Sequence, residues 1–566
     1  VKYTVGQYLA TRLAQLGLNH VFAVAGDYNL TLLDEMAKVE DLEQVYCCNE
    51  LNCGFAGEGY ARSRVMGASV VTFSVGAFSA FNAVGGAFAE NLPLLLISGA
   101  PNNNDYGSGH ILHHTMGYSD YRYQMDMAKQ ITCEAVSVAH ADEAPCLIDH
   151  AIRSALRNRK PAYIEISCNV ANQPCTEPGP ISSITNSLIS DDESLKAAAK
   201  ACLDALEKAK SPVVIIGGKI RSAGCAVSKK VAELTKKLGC AVATMAQAKG
   251  LSPEEEAEYV GTFWGEISSP GVEELVRESD CRIYIGAVFN DYSTVGWTCK
   301  LVGENDILIS SHHTRVGHKE FSGVYLKDFI PVLTSCVKKN TTSLDQFKAK
   351  KIPVKQVPVA DGKAPLTTVE LCRQIQGAIN KDTTIYLETG DSWFHGMHFK
   401  LPNGARVESE MQWGHIGWSI PSMFGYAVSE PNRRNIIMVG DGSFQLTAQE
   451  VCQMIRRNIP IIIILINNSG YTIEVKIHDG PYNRIKNWDY AGLINVFNAE
   501  DGKGLGLKAK NGAELEKAMQ TALAHKDGPT LIEVDIDAQD CSPDLVVWGK
   551  KVAKANGRAP RKFQTF

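Results

Sequence analysis

Two short runs in the last third of the chain could hold a charged group, Gly440-Asp441-Gly442 and Asn467-Asn468. Each closes an apolar stretch of strand length, Asn435 to Val439 and Ile461 to Ile466. Between them, Thr447 and Glu450 have the spacing of a capping box at the start of a helix running to about Arg457. If the two strands are neighbours in a parallel sheet, the Asp441 carboxylate and the Asn468 amide oxygen meet at one sheet edge. Magnesium takes oxygen ligands and commonly combines one carboxylate with phosphate oxygens and water. Glycines at 440 and 442 permit close backbone approach, and helix starts present free amide hydrogens to phosphate. A magnesium-bound diphosphate fits this pattern. Gly-Asp-Gly alone is more often a surface turn, so the weight rests on the whole succession of strand, turn, capped helix, strand and Asn-Asn.

Other reactive side chains fall just after apolar runs, where open parallel sheets place their ligands. In the first part of the chain these are Asp27, Glu50, Ser74 and the loop Asn102 to His114, which carries His110, His113 and His114. In the last part they are Thr389, Asp391 and Asn467 to Glu474. His113 and His114 could carry protons, line a solvated loop or, with His110, hold a metal. Asp27 in Gly-Asp-Tyr-Asn also reads as a turn residue. His312-His313 has no comparable setting and is expected on the surface or in a loop. Cys47, Cys48 and Cys53 lack the paired spacing of a zinc site, and the 16 cysteines, scattered through apolar stretches, fit a reduced cytoplasmic protein.

The elements that must position these residues repeat along the chain. Apolar runs at Val21 to Val24, Gln44 to Cys48, Ala68 to Phe73 and Leu94 to Ile97 alternate with helix-length segments, the signature of right-handed crossovers building a parallel sheet. Pro174, Pro178 and Pro180 mark a linker over Asn172 to Ser194. A second set follows at Val213 to Ile216, Ala241 to Met245, Arg282 to Ile285 and Asp306 to Ile309, ending near Val337. Lys338 to Thr367, with Pro353, Pro358 and Pro365, reads as a long connecting segment. A third set comprises Thr384 to Leu387, Asn435 to Val439, Ile461 to Ile466 and Leu531 to Val534. The expected fold class is α/β, three consecutive doubly wound parallel-sheet domains at 1–187, 188–355 and 356–566. With 566 residues, 45% hydrophobic and 21% charged, the chain has the composition of a soluble multidomain protein. A net charge of −5 gives no field for nucleic acid, and the apolar run Ile461 to Ile466 is far too short to span a membrane.

The succession around Asp441 and Asn468 is the thiamine diphosphate fingerprint, and the chain resembles the pyruvate decarboxylases, of the bacterial type, within the thiamine-diphosphate-dependent 2-oxo acid decarboxylase family. The resemblance runs from about Tyr3 to Gly549 and rests on FAVAGDYNL at 22–30, YCCNELNCGF at 46–55, GHILHH at 109–114, ETGDSWF at 388–394, EMQWGHIGWS at 410–419 and GYTIEVKIHDGPYN at 470–483. The middle domain matches more loosely. The three domains would be pyrimidine-binding, central and diphosphate-binding. The resemblance implies that Asp441, Asn468 and the Gly470 carbonyl hold Mg2+ against the diphosphate, with Thr389, Asp391, Ser392, Gly442 and Ser443 around that end. It also implies that Glu50 hydrogen-bonds the aminopyrimidine, that the Gly414 carbonyl holds its amine, and that Ile416 lodges under the bent cofactor.

The implied reaction is that of a carboxy-lyase, non-oxidative decarboxylation of pyruvate to acetaldehyde and CO2 through an ylid, a lactyl adduct and an enamine. Glu50, Asp27, His113, His114 and Glu474 form the implied catalytic set, with one proton shared between the Asp27 and Glu474 carboxyls. Phe289, Tyr292, Trp393, Ile473 and Ile477 would wall a pocket that favours pyruvate. The resemblance also implies a dimer of dimers in which Glu50 acts across a subunit interface. Alternatives are a decarboxylase of indolepyruvate or phenylpyruvate and, against the adjacent histidines, an acetohydroxyacid synthase. A binding or filament-forming module would not need the intact catalytic set. A dehydrogenase would need a glycine fingerprint after the first strand, which is lacking.

Overall fold

The protein is described from a computed structural model, over residues 3–186, 188–223, 225–299, 302–353, 359 and 361–557. Residues 354–358 and 360, which belong to the expected connecting segment, and residue 187, at the expected first boundary, lie outside the described residues.

Three α/β units follow one another. The first sheet is wholly parallel, in the spatial order Glu43–Tyr46, His20–Ala23, Gly67–Val71, Leu94–Ala100, Ala162–Ser167, Glu134–Val138. The third is likewise six-stranded and parallel, in the order Arg406–Ser409, Thr383–Leu387, Arg434–Gly440, Ile462–Asn467, Thr530–Asp535, Leu505–Ala509. Their central strands are apolar along nearly their whole length because helices cover both faces. Ile436, Ile437, Met438, Val439 and Ile463, Ile464, Leu465 have no exposed surface.

The second unit departs from the expected parallel sheet. Five of its seven strands are parallel, from Tyr259–Phe263 at one edge to Ile307–Ile309, but His313–Val316 and Lys319–Ser322 return antiparallel at the other edge. The connections are too short for a crossover. Gly317 at φ +59° supports the two-residue hairpin between the last two strands. His313 therefore lies on a strand, exposed, whereas His312 packs edge-on against Tyr325.

Both expected linkers contain ordered structure. Pro174–Cys175 pairs antiparallel with Tyr3–Thr4, which fastens the start of the chain to the end of the first domain. Within Lys338 to Thr367, the helix Thr342–Ala349 docks on the central sheet. Its Ser343 hydroxyl accepts from the Ala241 N–H at 3.0 Å and donates to the Pro212 carbonyl at 2.5 Å. The Pro-rich composition concealed this helix.

The first and third domains meet helix to helix. Glu50–Ala61 crosses Ser419–Ser429 so closely that a Cβ on Gly59 would fall 1.8 Å from the Ser422 carbonyl oxygen, and one on Gly425 1.8 Å from that of Ala56. Only glycine permits backbones to approach this far. Buried ion pairs surround the crossing. Arg62 bonds Glu58 at 2.5 Å and Glu408 of the third domain at 2.8 Å, and Arg221 of the second domain reaches Glu408 at 3.0 Å. Arg62 also lies over the Trp418 ring, 4.6 Å from its centroid.

Gly59→Ala should therefore lower folding stability by at least about 2 kcal/mol through overpacking at the domain junction. Urea unfolding of the variant beside the wild type measures it, and an unchanged midpoint would mean that the crossing is loose.

Candidate cofactor site

Adjacent parallel strands bring the two motifs together. Gly440 is in register with Ile466, so Asp441 and Asn467-Asn468 leave the sheet side by side. Asp441 begins the helix Asp441–Thr447 directly, and the expected capping box does not form. Thr447 instead donates its hydroxyl hydrogen to the Gly417 carbonyl at 2.7 Å, and helical structure continues through Ala448–Glu450 to Val451–Arg456. Glu450 turns into the domain junction, where its carboxylate accepts the Cys48 N–H at 3.1 Å and the Asn52 amide at 2.8 Å. Tertiary partners outcompete the local cap.

The Asp441 carboxylate is fully buried and accepts the backbone N–H groups of Gly442 at 2.7 Å, Asn468 at 3.2 Å and Ser469 at 2.6 Å. Burial pushes its pKa up to about 6 against these hydrogen bonds. Asn468 donates its amide to the Thr472 hydroxyl at 2.7 Å, which leaves its buried carbonyl oxygen without a partner. A buried carboxylate beside an unpartnered amide oxygen is an oxygen donor set that a hard cation satisfies. Ser469, between them, has φ +65°, a backbone strain that turns its N–H onto Asp441. Sequence reasoning passed over Ser469 because its part is played by the backbone. Gly442 lies against the Tyr471 ring, which a Cβ would meet at 2.4 Å, and Gly470 bridges to Arg484.

A cavity of about 560 Å3 lies between the third domain and the segment Asn290 to Tyr292 of the second, lined in part by Tyr292, Thr389, Gly414, Ile416, Ile473 and Glu474. Six of the residues expected at the site thus share one space. The Thr389 hydroxyl is buried and unpartnered. Asp391, Ser392 and Ser443 stand in the neighbouring helix starts, with Ser392 and Ser443 buried and Asp391 accepting the Ser542 N–H at 3.0 Å and pairing with His395 at 3.0 Å. Trp393 has no exposed surface; it packs edge-on to Tyr292, its indole N–H is unpartnered, and a Cβ on Gly414 would sit 3.8 Å from its ring. It therefore backs the cavity wall. Phe289 turns away into the central-domain core, edge-on to Tyr284, and Ile477 packs on the third-domain core; neither lines this cavity.

Glu388 is a further site residue that the sequence reading overlooked. Fully buried, it accepts the Ser419 N–H at 3.0 Å, the Ser419 hydroxyl at 2.7 Å and the Thr389 N–H at 2.8 Å, joining the turn that carries Thr389 to the segment after Ile416. Burial raises its pKa to about 7. Its signal was present, since an acidic residue ended an apolar strand, but its neighbours Asp391 and Thr389 drew the assignment.

The remaining candidates form a second group on the first domain. Asp27 Oδ2 is hydrogen-bonded to His113 Nε2, and Asp27 Oδ1 lies 3.5 Å from His114 Nε2. The Tyr28 ring stacks on His113 with centroids 4.9 Å apart, and His114 is held at φ +61°. One ligand atom from each of Asp27, His113 and His114 falls within 4.8 Å of the others, while His110 is drawn off by Asp105 at 2.8 Å. Glu50 opens the helix Glu50–Ala61 behind its Asn49 cap and lies over Gly76, where a Cβ would come 3.1 Å from its Oε1. Nearby, the buried Thr72 hydroxyl has no partner. Within one chain Asp27 is engaged by the histidines, so the expected Asp27–Glu474 pair does not form there, and this group does not line the cavity that holds Glu474.

The amino-acid sequence has counterparts among known proteins. Residues 3–124 match the thiamine pyrophosphate enzyme N-terminal TPP binding domain, residues 199–325 its central domain and residues 389–534 its C-terminal TPP binding domain. A probable pyruvate decarboxylase of Schizosaccharomyces pombe is 52% identical over 561 residues, covering 98% of each chain. A pyruvate decarboxylase of Neurospora crassa is 51% identical, covering 99% of this chain and 98% of its own. Pyruvate decarboxylase 2 of Oryza sativa is 42% identical, covering 98% and 92%. These relatives come from fungi and a plant.

Glu450 makes stability depend on pH. Burial, with the Cys48 thiol beside it, lifts its carboxyl from the ordinary 4.5 to about 8 against hydrogen bonds from the Cys48 N–H, Asn52 and Cys47. The unfolded chain releases this proton near 4.5 and the folded chain keeps it to about 8, so stability falls as pH rises through that window. Glu450→Gln should flatten this part of the profile, as urea midpoints across the same pH range would record.

Proposed function

The chain belongs to the pyruvate decarboxylase family of thiamine pyrophosphate enzymes, and from that premise we propose the residues through which it converts pyruvate to acetaldehyde and CO2 as a carboxy-lyase. The observation that carries the reading is the Asp441 carboxylate beside the unpartnered Asn468 carbonyl oxygen, at neighbouring strand ends next to a cavity of small-substrate size. Asp441, Asn468 and the Gly470 carbonyl would hold Mg2+, and Thr389, Asp391, Ser392, Gly442 and Ser443 would surround the diphosphate. Thiamine diphosphate, when bound, supplies a nucleophilic carbon and a sink for the electron pair that the departing carboxylate leaves.

The chain's own residues bind, orient and move protons. Glu50 and the Gly414 carbonyl would hold the aminopyrimidine, and Ile416, in the cavity wall, would pack against the cofactor. Glu50 would be the carboxylic group that exchanges a proton with the aminopyrimidine. Tyr292, Trp393 and Ile473 make the acyl space apolar, which favours loss of a carboxylate charge. Glu474 and the Asp27, His113 and His114 group deliver the proton that releases the aldehyde. The fixed His113–Asp27 bond keeps one imidazole nitrogen oriented for this transfer.

Completion of the site by a second copy is part of the proposal. Asp27 and His113 have 49% and 61% of their side chains exposed, amid the exposed apolar Val75, Ile111, Met116 and Tyr118. The third domain exposes Trp413, Leu446, Tyr482 and Trp488. Juxtaposing these faces in a dimer, two of which form a tetramer, would bury both apolar sets and bring Asp27 and Glu50 to the partner's cavity. No helix among the described residues is long and apolar enough to cross a membrane, and the cysteine usage favours the cytoplasm.

Stripping and restoring thiamine diphosphate and Mg2+ should abolish and restore acetaldehyde production from pyruvate; acetolactate as the main product would assign the chain to carboligation instead. Glu50→Gln should retain the fold and lose activity at least about a hundredfold, as measured in the same coupled assay. Trp393→Ala should cost about 3–5 kcal/mol of stability and raise kcat/KM for longer 2-oxo acids relative to pyruvate. An unchanged substrate preference in a folded Trp393→Ala protein would remove this residue from the wall.

A further inference from the structure

Cys48 and Cys452 belong to the first and third domains and stand 404 positions apart, yet their sulfurs lie 3.3 Å from one another. Cys48 precedes Asn49, the cap of the helix that begins at Glu50, and Cys452 is the second residue of Val451–Arg456. The pair sits at the edge of the junction held by Glu450. The Cys48 sulfur also lies 3.3 Å from the Gln449 carbonyl oxygen and 3.6 Å from the Gln453 amide. Cys48 is exposed and Cys452 half-buried, whereas the nearby Cys47 and Cys53 are buried from any reagent.

We propose that Cys48 and Cys452 are an oxidative modification site, a dithiol that a small-molecule disulfide such as oxidised glutathione converts reversibly to an intrachain disulfide joining the first domain to the third. The two thiols are unequal. The hydrogen bond between the two sulfurs and the Arg456 charge lower the pKa of Cys452 against burial and the Glu450 carboxylate, and that of Cys48 rises in return. Cys452 is thus the attacking thiolate, with thiolate character governing the exchange.

Its sulfur attacks one sulfur of the small disulfide, breaks that S–S bond and expels the first small thiolate. Cys48 then gives its proton to solvent and attacks the Cys452 sulfur of the mixed disulfide, expelling the second. Two protein thiols are oxidised, one small disulfide is reduced, and the two protons end on the two departing thiolates. Transient disulfides of this kind are the form in which redox-sensing cysteines operate in reducing compartments. A bond here would close a very long loop and restrain the opening of the junction. It would also fasten the start of the helix that presents Glu50.

The test equilibrates the full-length holoenzyme, with thiamine diphosphate and Mg2+, in mixtures of reduced and oxidised glutathione, followed by acid quenching, alkylation and peptide mapping. The expected result is a cross-linked peptide pair containing Cys48 and Cys452, a chain that stays monomeric on a non-reducing denaturing gel, and a thermal midpoint raised by several degrees. Dithiothreitol should reverse the cross-link and the shift in midpoint. Cys48→Ser and Cys452→Ser should each lose the cross-link and the shift, and Cys146→Ser, at an exposed cysteine elsewhere, should keep both. Mapping only mixed glutathione disulfides, a cross-link to another cysteine, or a cross-link between chains would overturn the proposal. Wild-type mapping decides the matter by itself if a serine variant fails to fold.

Discussion

Parallel pairing of Arg434–Gly440 with Ile462–Asn467 is the constraint on which the candidate site rests. Because both strands run the same way, both end at one edge of the sheet, and the residues that follow them are neighbours by geometry. Their continuous apolar sequence is what buries them under helices on both faces. The price of that burial is an Asp441 carboxylate withdrawn from water and held by three backbone N–H groups, one of them from Asn468, whose own amide oxygen is buried without a donor. Both are oxygen donors of the kind a hard cation would satisfy.

The junction between the first and third domains does for the long-range structure what strand pairing does for the site. Gly59 and Gly425 let two helices touch backbone to backbone, and ion pairs and hydrogen bonds gather around them. Glu58 receives Arg62, the Trp418 indole N–H at 3.0 Å and the Ser422 hydroxyl at 2.8 Å. Arg62 and Arg221 converge on Glu408 from two different domains. Removing one partner would leave a buried charge uncompensated, so the network specifies one relative placement of the domains more than it adds stability. Glu50 and Cys48 lie at the amino-terminal end of this clamp, two residues apart on one stretch of backbone.

Local pattern and tertiary outcome disagree at particular residues, each for a physical reason. Thr447 and Glu450 have capping-box spacing, but each finds a stronger partner far away in sequence, the Gly417 carbonyl and the Cys48 and Asn52 donors. The helix Thr342–Ala349 lies within a segment whose prolines and lysines read as linker, yet its buried Ser343 and Leu344, with Phe347, anchor it to the sheet. The antiparallel edge of the central sheet was hidden in the short polar stretch from His313 to Ser322, whose strands have little apolar alternation. Phe289 has the bulk of a pocket wall and is instead spent on the core around Tyr284.

The amino-acid sequence by itself determined the α/β class, the three-unit order and the positions of Asp441, Asn468, Asp27 and Glu50 just beyond apolar strands, because periodicity and strand-end position are local properties. The family, too, was legible in segments such as GDYN and EMQWGHIGW. Only the tertiary structure decided that Asp441 and Asn468 touch, that Glu388 ties the two site loops together, that Asp27 is bound to two histidines, and that Cys48 meets Cys452. These are contacts between distant parts of the chain, set by which strands pair and which helices cross, and spacing along a sequence does not encode them.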